Sequence, residues 1–207
     1  MNCAARRATT MVLAMTLLSA GCGICPAKVV LPAGKRAFNA LKNRQTVPTA
    51  ADFDGRVTLE AMLAPGDDRA RWQHTRAAAL EGYVVRVHEA GPESANCFSS
   101  SRRDAHIEVA RRPDAPPAER VIVEVTPPMR DRAAGRGLDW TTATLHSRLT
   151  GRRVRIEGWL LFDHEHEEES ENSRPGHPDN WRATAWEIHP VTAIVLSDSR
   201  VADRRRQ

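Results

Sequence analysis

The stretch RRVRIEGWLLFD, residues 152–163, decides the fold. Val154, Ile156, Gly158, Leu160 and Phe162 share one parity, and Arg153, Arg155, Glu157 and Trp159 share the other. Successive strand side chains point to opposite faces, so this is a strand with an apolar inner face and a mostly polar outer one. The same alternation recurs upstream. GYVVRVHEA (82–90) reads as a first strand, HIEVA (106–110) as a second, and RVIVEVTP (120–127) as a third, with Val121, Val123 and Val125 on one face.

Between the third and fourth strands, DWTTATLHSRL (139–149) changes period. Asp139 is placed to cap a helix whose Leu145 and Leu149 lie one turn apart. Downstream, WRATAWEIHPVTAIVLSD (181–198) is a fifth strand, bent at Pro190. Trp186 and Ile188 take its inner face, Glu187 and His189 the outer, and residues beyond Pro190 swap faces. The order strand, strand, strand, helix, strand, strand is that of a small Greek-key barrel of the OB type. Gly82 and Gly158 stand inside strand patterns, where barrels bend tightly. The fold expected is mainly β: a five-stranded OB-like barrel with a helix between strands 3 and 4. A further, N-terminal helix is expected over DDRARWQHTRAAAL (67–80), anchored by Trp72 and Ala79.

The chain has 207 residues, 41% hydrophobic, enough for one domain with appendages. Its N-terminus, MNCAARRATTMVLAMTLLSAGCG, sets Arg6 and Arg7 before an apolar run over 11–18, then small residues and Cys22. That layout is a secretory signal, and the run is too short to span a bilayer comfortably. LLSAGC resembles the lipobox of bacterial lipoproteins, although Ser19 stands where the family usually has leucine. The resemblance implies lipidation at Cys22, a membrane anchor, and, from Gly23, an outer-membrane destination facing the periplasm. The expected organisation is a signal over 1–21, a flexible tether over 22–51, the domain over 52–200 and a basic tail over 201–207. Loss of the signal lowers the net charge from +4 to +2, too little to point to nucleic acid. In an oxidising compartment Cys25 and Cys97 can pair, or Cys97 can stay free or bind a ligand.

The phrases LEGYVVRV, ESANC, HIEVA, VIVEVTPPMR, VRIEGWLLFD and WRATAWEIHPVTAI resemble a family of bacterial exported proteins with an OB-like barrel. The likeness covers roughly 64–196 and implies the fold and export, with no activity attached. The acid and arginine pattern of staphylococcal-type nucleases, which share the barrel, has no match here.

Three constellations can carry chemistry. His106 and Glu108 share one face of the second strand, Glu124 has the matching parity on the third, and Glu187 and His189 share a face of the fifth. Cys97, His106 and His189 together offer donors suited to zinc, with Glu108 or Glu124 as a base, which would make a zinc-dependent hydrolase. The same residues equally make a hydrogen-bonded polar face. Trp159 beside Arg153 and Arg155 is a candidate ligand platform on a barrel face. The third is FDHEHEEESENSRPGHPDNW (162–181), with six acids between 163 and 171. It reads as a solvated, mobile loop that flanks the ligand face and repels anions, so a nucleic-acid partner is not expected. The leading expectation is a tethered envelope module binding a small ligand, a glycan or an envelope protein. A zinc hydrolase is the first alternative, single-stranded nucleic-acid binding the second.

Overall fold

A computed structural model describes residues 31–197. The signal, Cys22 and the basic tail lie outside the described residues. Five strands form a closed barrel: β1 (Ala77–Glu89), β2 (Ala105–Ala110), β3 (Val121–Val125), β4 (Arg153–Phe162) and β5 (Trp186–Leu196). Their spatial order is β1-β2-β3-β5-β4, with β3 and β5 parallel and the other pairs antiparallel. This is an OB-like barrel, as the alternation implied. Closure removes the free strand edges that an open five-stranded sheet would expose.

The interior is filled from alternate positions: Leu80, Val84 and Val87 of β1, Ile107 and Val109 of β2, and Val121, Val123 and Val125 of β3. Val154, Ile156 and Leu160 of β4 join Trp186, Ile188 and Val191 of β5. Val191 follows Ile188 on the inner face by three residues, but the change of face expected beyond Pro190 does not persist: a second register shift restores the original parity, and Ile194 and Leu196 stand opposite inward Ile156 and Val154. The register between β4 and β5 shifts on both sides of Gly158. A Cβ on Gly158 would stand 2.2 Å from the Pro190 carbonyl oxygen and 2.6 Å from Ile188 Cγ2. Glycine is required there because the backbones of β4 and β5 approach too closely for a side chain.

The helix α4 (Thr142–Leu149) begins at Thr141, whose hydroxyl accepts from Thr144 N–H. Asp139 supports that cap by accepting from Thr141 N at 2.9 Å and from Thr144 Oγ1 at 2.5 Å. Leu145 and Leu149 are buried in the core as expected. A preceding helix, α3 (Pro127–Ala134), was not foreseen; prolines in its first turn start it, and Met129 joins the core.

Two expectations fail. Residues 67–80 form no helix: a short α2 (Leu59–Met62) precedes them, residues 67–76 run irregularly, and 77–80 open β1. Ala77, Ala78 and Ala79 pair with Trp159, Gly158 and Glu157, so barrel closure overrides the helix preference of alanine. Buried Asp68 holds the irregular part. It accepts from Thr184 Oγ1 (2.7 Å), Ala185 N (2.9 Å), Asn172 Nδ2 (2.9 Å) and Arg71 Nη1 (3.0 Å), and its carbonyl accepts from Trp186 Nε1 at 2.7 Å. Of the two anchors, Trp72 meets Trp186 edge-on with ring centroids 5.6 Å apart, while Ala79 is half-buried on the outer face.

The second failure concerns the tether. Residues 33–46 are laid on the barrel: α1 (Ala33–Lys42) buries Phe38 and Lys42. Asn43 Nδ2 donates to Ala95 O at 2.7 Å, Arg44 Nη2 to Leu160 O at 3.0 Å, and Trp159 Nε1 to Thr46 O at 2.7 Å. These long-range contacts have no local sequence period. Among the described residues no helix is long and apolar enough to cross a membrane.

Candidate ligand cleft and buried polar row

The outer face of β1, β2, β3 and β5 carries a row of polar side chains. A register shift between Val84 and Arg86 turns Arg86 and His88 outward on β1. His88 then lies opposite His106, and His106 opposite Glu124. The parallel pairing of Val123 with Ile188 brings Glu187 and His189 alongside Glu124. The His88 and His106 rings stack with centroids 4.6 Å apart.

This face is covered by α1, by residues 90–104 and by residues 163–185. The cover buries charge. Lys42 Nζ donates to Glu93 at 2.6 Å and Arg182 Nη2 to Glu187 at 2.6 Å; both cations are at most 2% exposed. Asp163 Oδ2 lies 2.7 Å from His166 Nδ1 and 3.7 Å from Arg182. Burial pushes the Asp163 carboxyl up, but the His166 hydrogen bond with the Lys42 and Arg182 charges outweighs it and holds the group well below the ordinary carboxylate range. The same bond raises His166. Burial would lower Lys42, yet the fields of Glu124, Asp163, Glu93 and Glu187 together raise it. His106 goes the other way: burial, then His88 and Arg182, bring it down to about 2, so its ring is neutral at physiological pH. Glu124 is raised well above its usual value by burial, then by Glu187, Glu93 and Asp104.

Beside this row a cleft of about 540 Å³ opens between the loop after β1 and the loop after β4. Arg86, His88, His106, Glu108, Arg120 and Trp181 line it, with Glu124 and Glu187 at its inner side. The face and both loops are those with which OB barrels engage ligands.

The expected zinc trio does not assemble. Cys97 is disulfide-bonded and has no thiolate to offer a metal. Cys3, Cys22 and Cys25, its possible partners in the chain, lie outside the described residues. His106 and His189 do flank Glu124, at 3.8 Å and 3.6 Å. Glu108 is no free base: Arg120 Nη1 donates to it at 2.6 Å. The Trp159 platform is also corrected. Trp159 lies beneath residues 44–46, with the Arg44 guanidinium 4.9 Å from its ring centroid. Arg153 pairs with Glu81 at 3.4 Å and Arg155 with Glu157 at 2.9 Å, so neither reaches out beside an open tryptophan.

The acidic loop is neither solvated throughout nor unpaired. Glu167 accepts from Arg69 (2.6 Å), Glu171 from Gly176 N (2.7 Å) and Asn180 (2.8 Å), Glu169 from Trp181 Nε1, and Glu165 pairs with Lys35. Its repulsion of an anion is correspondingly weaker than the bare count of acids implied. Trp181, expected at the start of the fifth strand, instead lies in the connection before β5, and Asp104, Lys42, His88 and Arg182 are not marked by the sequence reading. The only available signal was the parity of His88, and the bulge in β1 hides it.

No family model matches the chain, and no curated protein matches it. Among solved structures it is similar in part to the crystal structure of yeast Stn1 and Ten1. The TM-score is 0.31 at 8% identity, over 62% of this chain and 46% of that chain, so the chain spans less than half of that protein. Strand order and closure, not this likeness, define the barrel.

Proposed function

We propose that this chain is an exported, lipid-anchored binding module whose barrel cleft takes a small polar ligand or the end of a glycan. The observation that carries the reading is the cleft between the two loops, where Trp181 offers an aromatic surface beside the hydrogen-bonding groups of Arg86, His88, Glu108 and Arg120. A sugar presents C–H faces for stacking and hydroxyls that both donate and accept, and such a lining complements both. Export and anchoring rest on the charged, apolar and small-residue order ending at Cys22.

Calorimetric titration of the full-length protein with soluble cell-wall glycan fragments tests the cleft. Binding that Trp181→Ala and Arg120→Ala each weaken at least tenfold is expected. Absence of glycan binding, with tight binding of single-stranded oligonucleotides whose affinity falls steeply with salt, would replace this reading by nucleic-acid recognition. Metabolic labelling with a radioactive fatty acid, abolished by Cys22→Ser, is expected for the anchor; unlabelled wild-type protein would remove it.

A further inference from the structure

Most buried charges under the cleft are matched in pairs: Lys42 with Glu93, Arg182 with Glu187, His166 with Asp163 and Arg120 with Glu108. Two carboxylates have no such bonded cation, Asp104 at 1% exposure and Glu124 at 5%, although Glu124 feels the field of Lys42. Asp104 Oδ1 accepts from Asn96 Nδ2 at 3.0 Å, but Asp104 Oδ2 and Glu124 Oε2 have no hydrogen-bond partner among the described residues. Between them stands His189, fully buried, whose Nε2 is also unpartnered and lies 3.5 Å from Asp104 Oδ2. Glu124 Oε2 stands 3.6 Å from the other ring nitrogen, Nδ1. A buried acceptor without a partner is costly, and three around one imidazole imply a further occupant.

We infer that Asp104, Glu124 and His189 together bind one divalent transition-metal ion at the inner side of the cleft. One donor atom from each residue lies within 4.8 Å of the other two. Metal bonds of about 2.0–2.2 Å hold neighbouring donors roughly 3–3.6 Å apart, so His189 Nε2 and Asp104 Oδ2 already fit at 3.5 Å, and a rotation of the Glu124 carboxylate from the Nδ1 side of the ring completes the set. The charges match, two carboxylates to one dication. His189 Nδ1 lies 3.2 Å from Glu187 Oε2, and Glu187 is itself held by Arg182. That outer carboxylate keeps the proton on Nδ1 and leaves the Nε2 lone pair for the metal, the usual device at histidine-ligated ions. The imidazole disfavours Mg²⁺ and Ca²⁺, and two hard oxygen donors disfavour Cu⁺, leaving Zn²⁺, Mn²⁺ or Fe²⁺. Glu124 also borders the cleft, which provides the entry path. This site differs from the cysteine-containing trio expected from sequence, and it stands whatever ligand the cleft takes.

The test uses untagged full-length protein stripped with chelator and titrated with Zn²⁺ alone and Mn²⁺ alone, reading bound metal by mass spectrometry and the thermal midpoint in parallel. Uptake of about one equivalent with a rise in midpoint is expected. Glu124→Gln and Asp104→Asn should each weaken uptake at least tenfold while leaving the metal-free midpoint equal to or above wild type, because each removes a buried carboxyl that has no bonded cation; a merely structural role would lower it. Uptake unchanged in both variants but lost in a His164→Ala/His166→Ala double variant would move the ion to the acidic loop and overturn the proposal. So would absence of uptake together with a protonated-carboxyl infrared band at neutral pH that vanishes in Glu124→Gln.

Discussion

Two outer faces of the same barrel make opposite use of the same pattern. On β1 and β4, Glu81, Arg153, Arg155 and Glu157 alternate with inward Leu80, Val154 and Ile156 and pair in solvent; Glu81 and Arg153 side chains are 48% and 51% exposed. On β2, β3 and β5, His106, Glu108, Glu124, Glu187 and His189 alternate with valines and isoleucines just as regularly, yet all are buried. The difference is the cover of α1 and two loops, which removes water from one face only. Alternation identifies a face; it does not say whether that face is wet. A charge on the wet face is a solubility feature, while one on the dry face must be matched or must hold something.

The sharpest way to break this comparison is Arg182→Ala. It strands Glu187 without its bonded cation and takes one of the positive charges around Asp163, and a loss of about 3–5 kcal/mol in denaturant unfolding is expected. An Arg182→Met/Glu187→Leu double variant should recover much of that loss, since it removes both charges. If Arg182→Ala costs no more than a change on the wet face, the row is not dry. Next in size is Gly158→Ala, where the added methyl meets the Pro190 carbonyl. A loss of about 1–3 kcal/mol is expected, read as a lowered thermal midpoint.

A smaller effect, specific to the covered face, is the titration of His166. Its raised pKa should appear by NMR above the ordinary histidine value of about 6.5, and in Asp163→Asn it should fall below, because burial and Arg182 then act without the carboxylate. The contribution of this histidine to stability is complete below pH of about 6.5 and fades as pH rises through the raised value. That of Asp163 is complete above about 3.9 and fades as pH falls through its depressed one. An unchanged His166 titration in the variant would mean the pair is not formed. Smallest of all is Arg153→Ala on the wet face, expected at about 0–1 kcal/mol and shrinking with salt. A larger cost would show that the two faces are less different than their burial implies.

Much of this architecture is legible in the sequence. The runs ending in Val125 and Phe162 alternate cleanly, the run ending in Leu196 does so on either side of an irregularity at Pro190, and Leu145 and Leu149 mark the helix α4, because a half-buried element must repeat its apolar residues at its own period. The parity that put His106, Glu124 and His189 on one side of the sheet was also correct. The start of β1 was not legible: three alanines carry helix preference and no face, and only pairing with β4 makes them a strand. Lys42 and Asp104, which shape the polar row, lie in segments without any period.

By itself, then, the amino-acid order determined which strands exist, which residues face inward, and which polar groups share the outer side, since those follow from backbone geometry over a few neighbouring residues. Tertiary structure alone decided that one outer side is covered and opens only through the cleft. It brought Asp104 beside His189 and Glu124, took Cys97 out of metal chemistry through its disulfide, and placed Trp159 beneath residues 44–46. Those outcomes depend on contacts between residues many tens of positions apart. Local alternation carries no record of them.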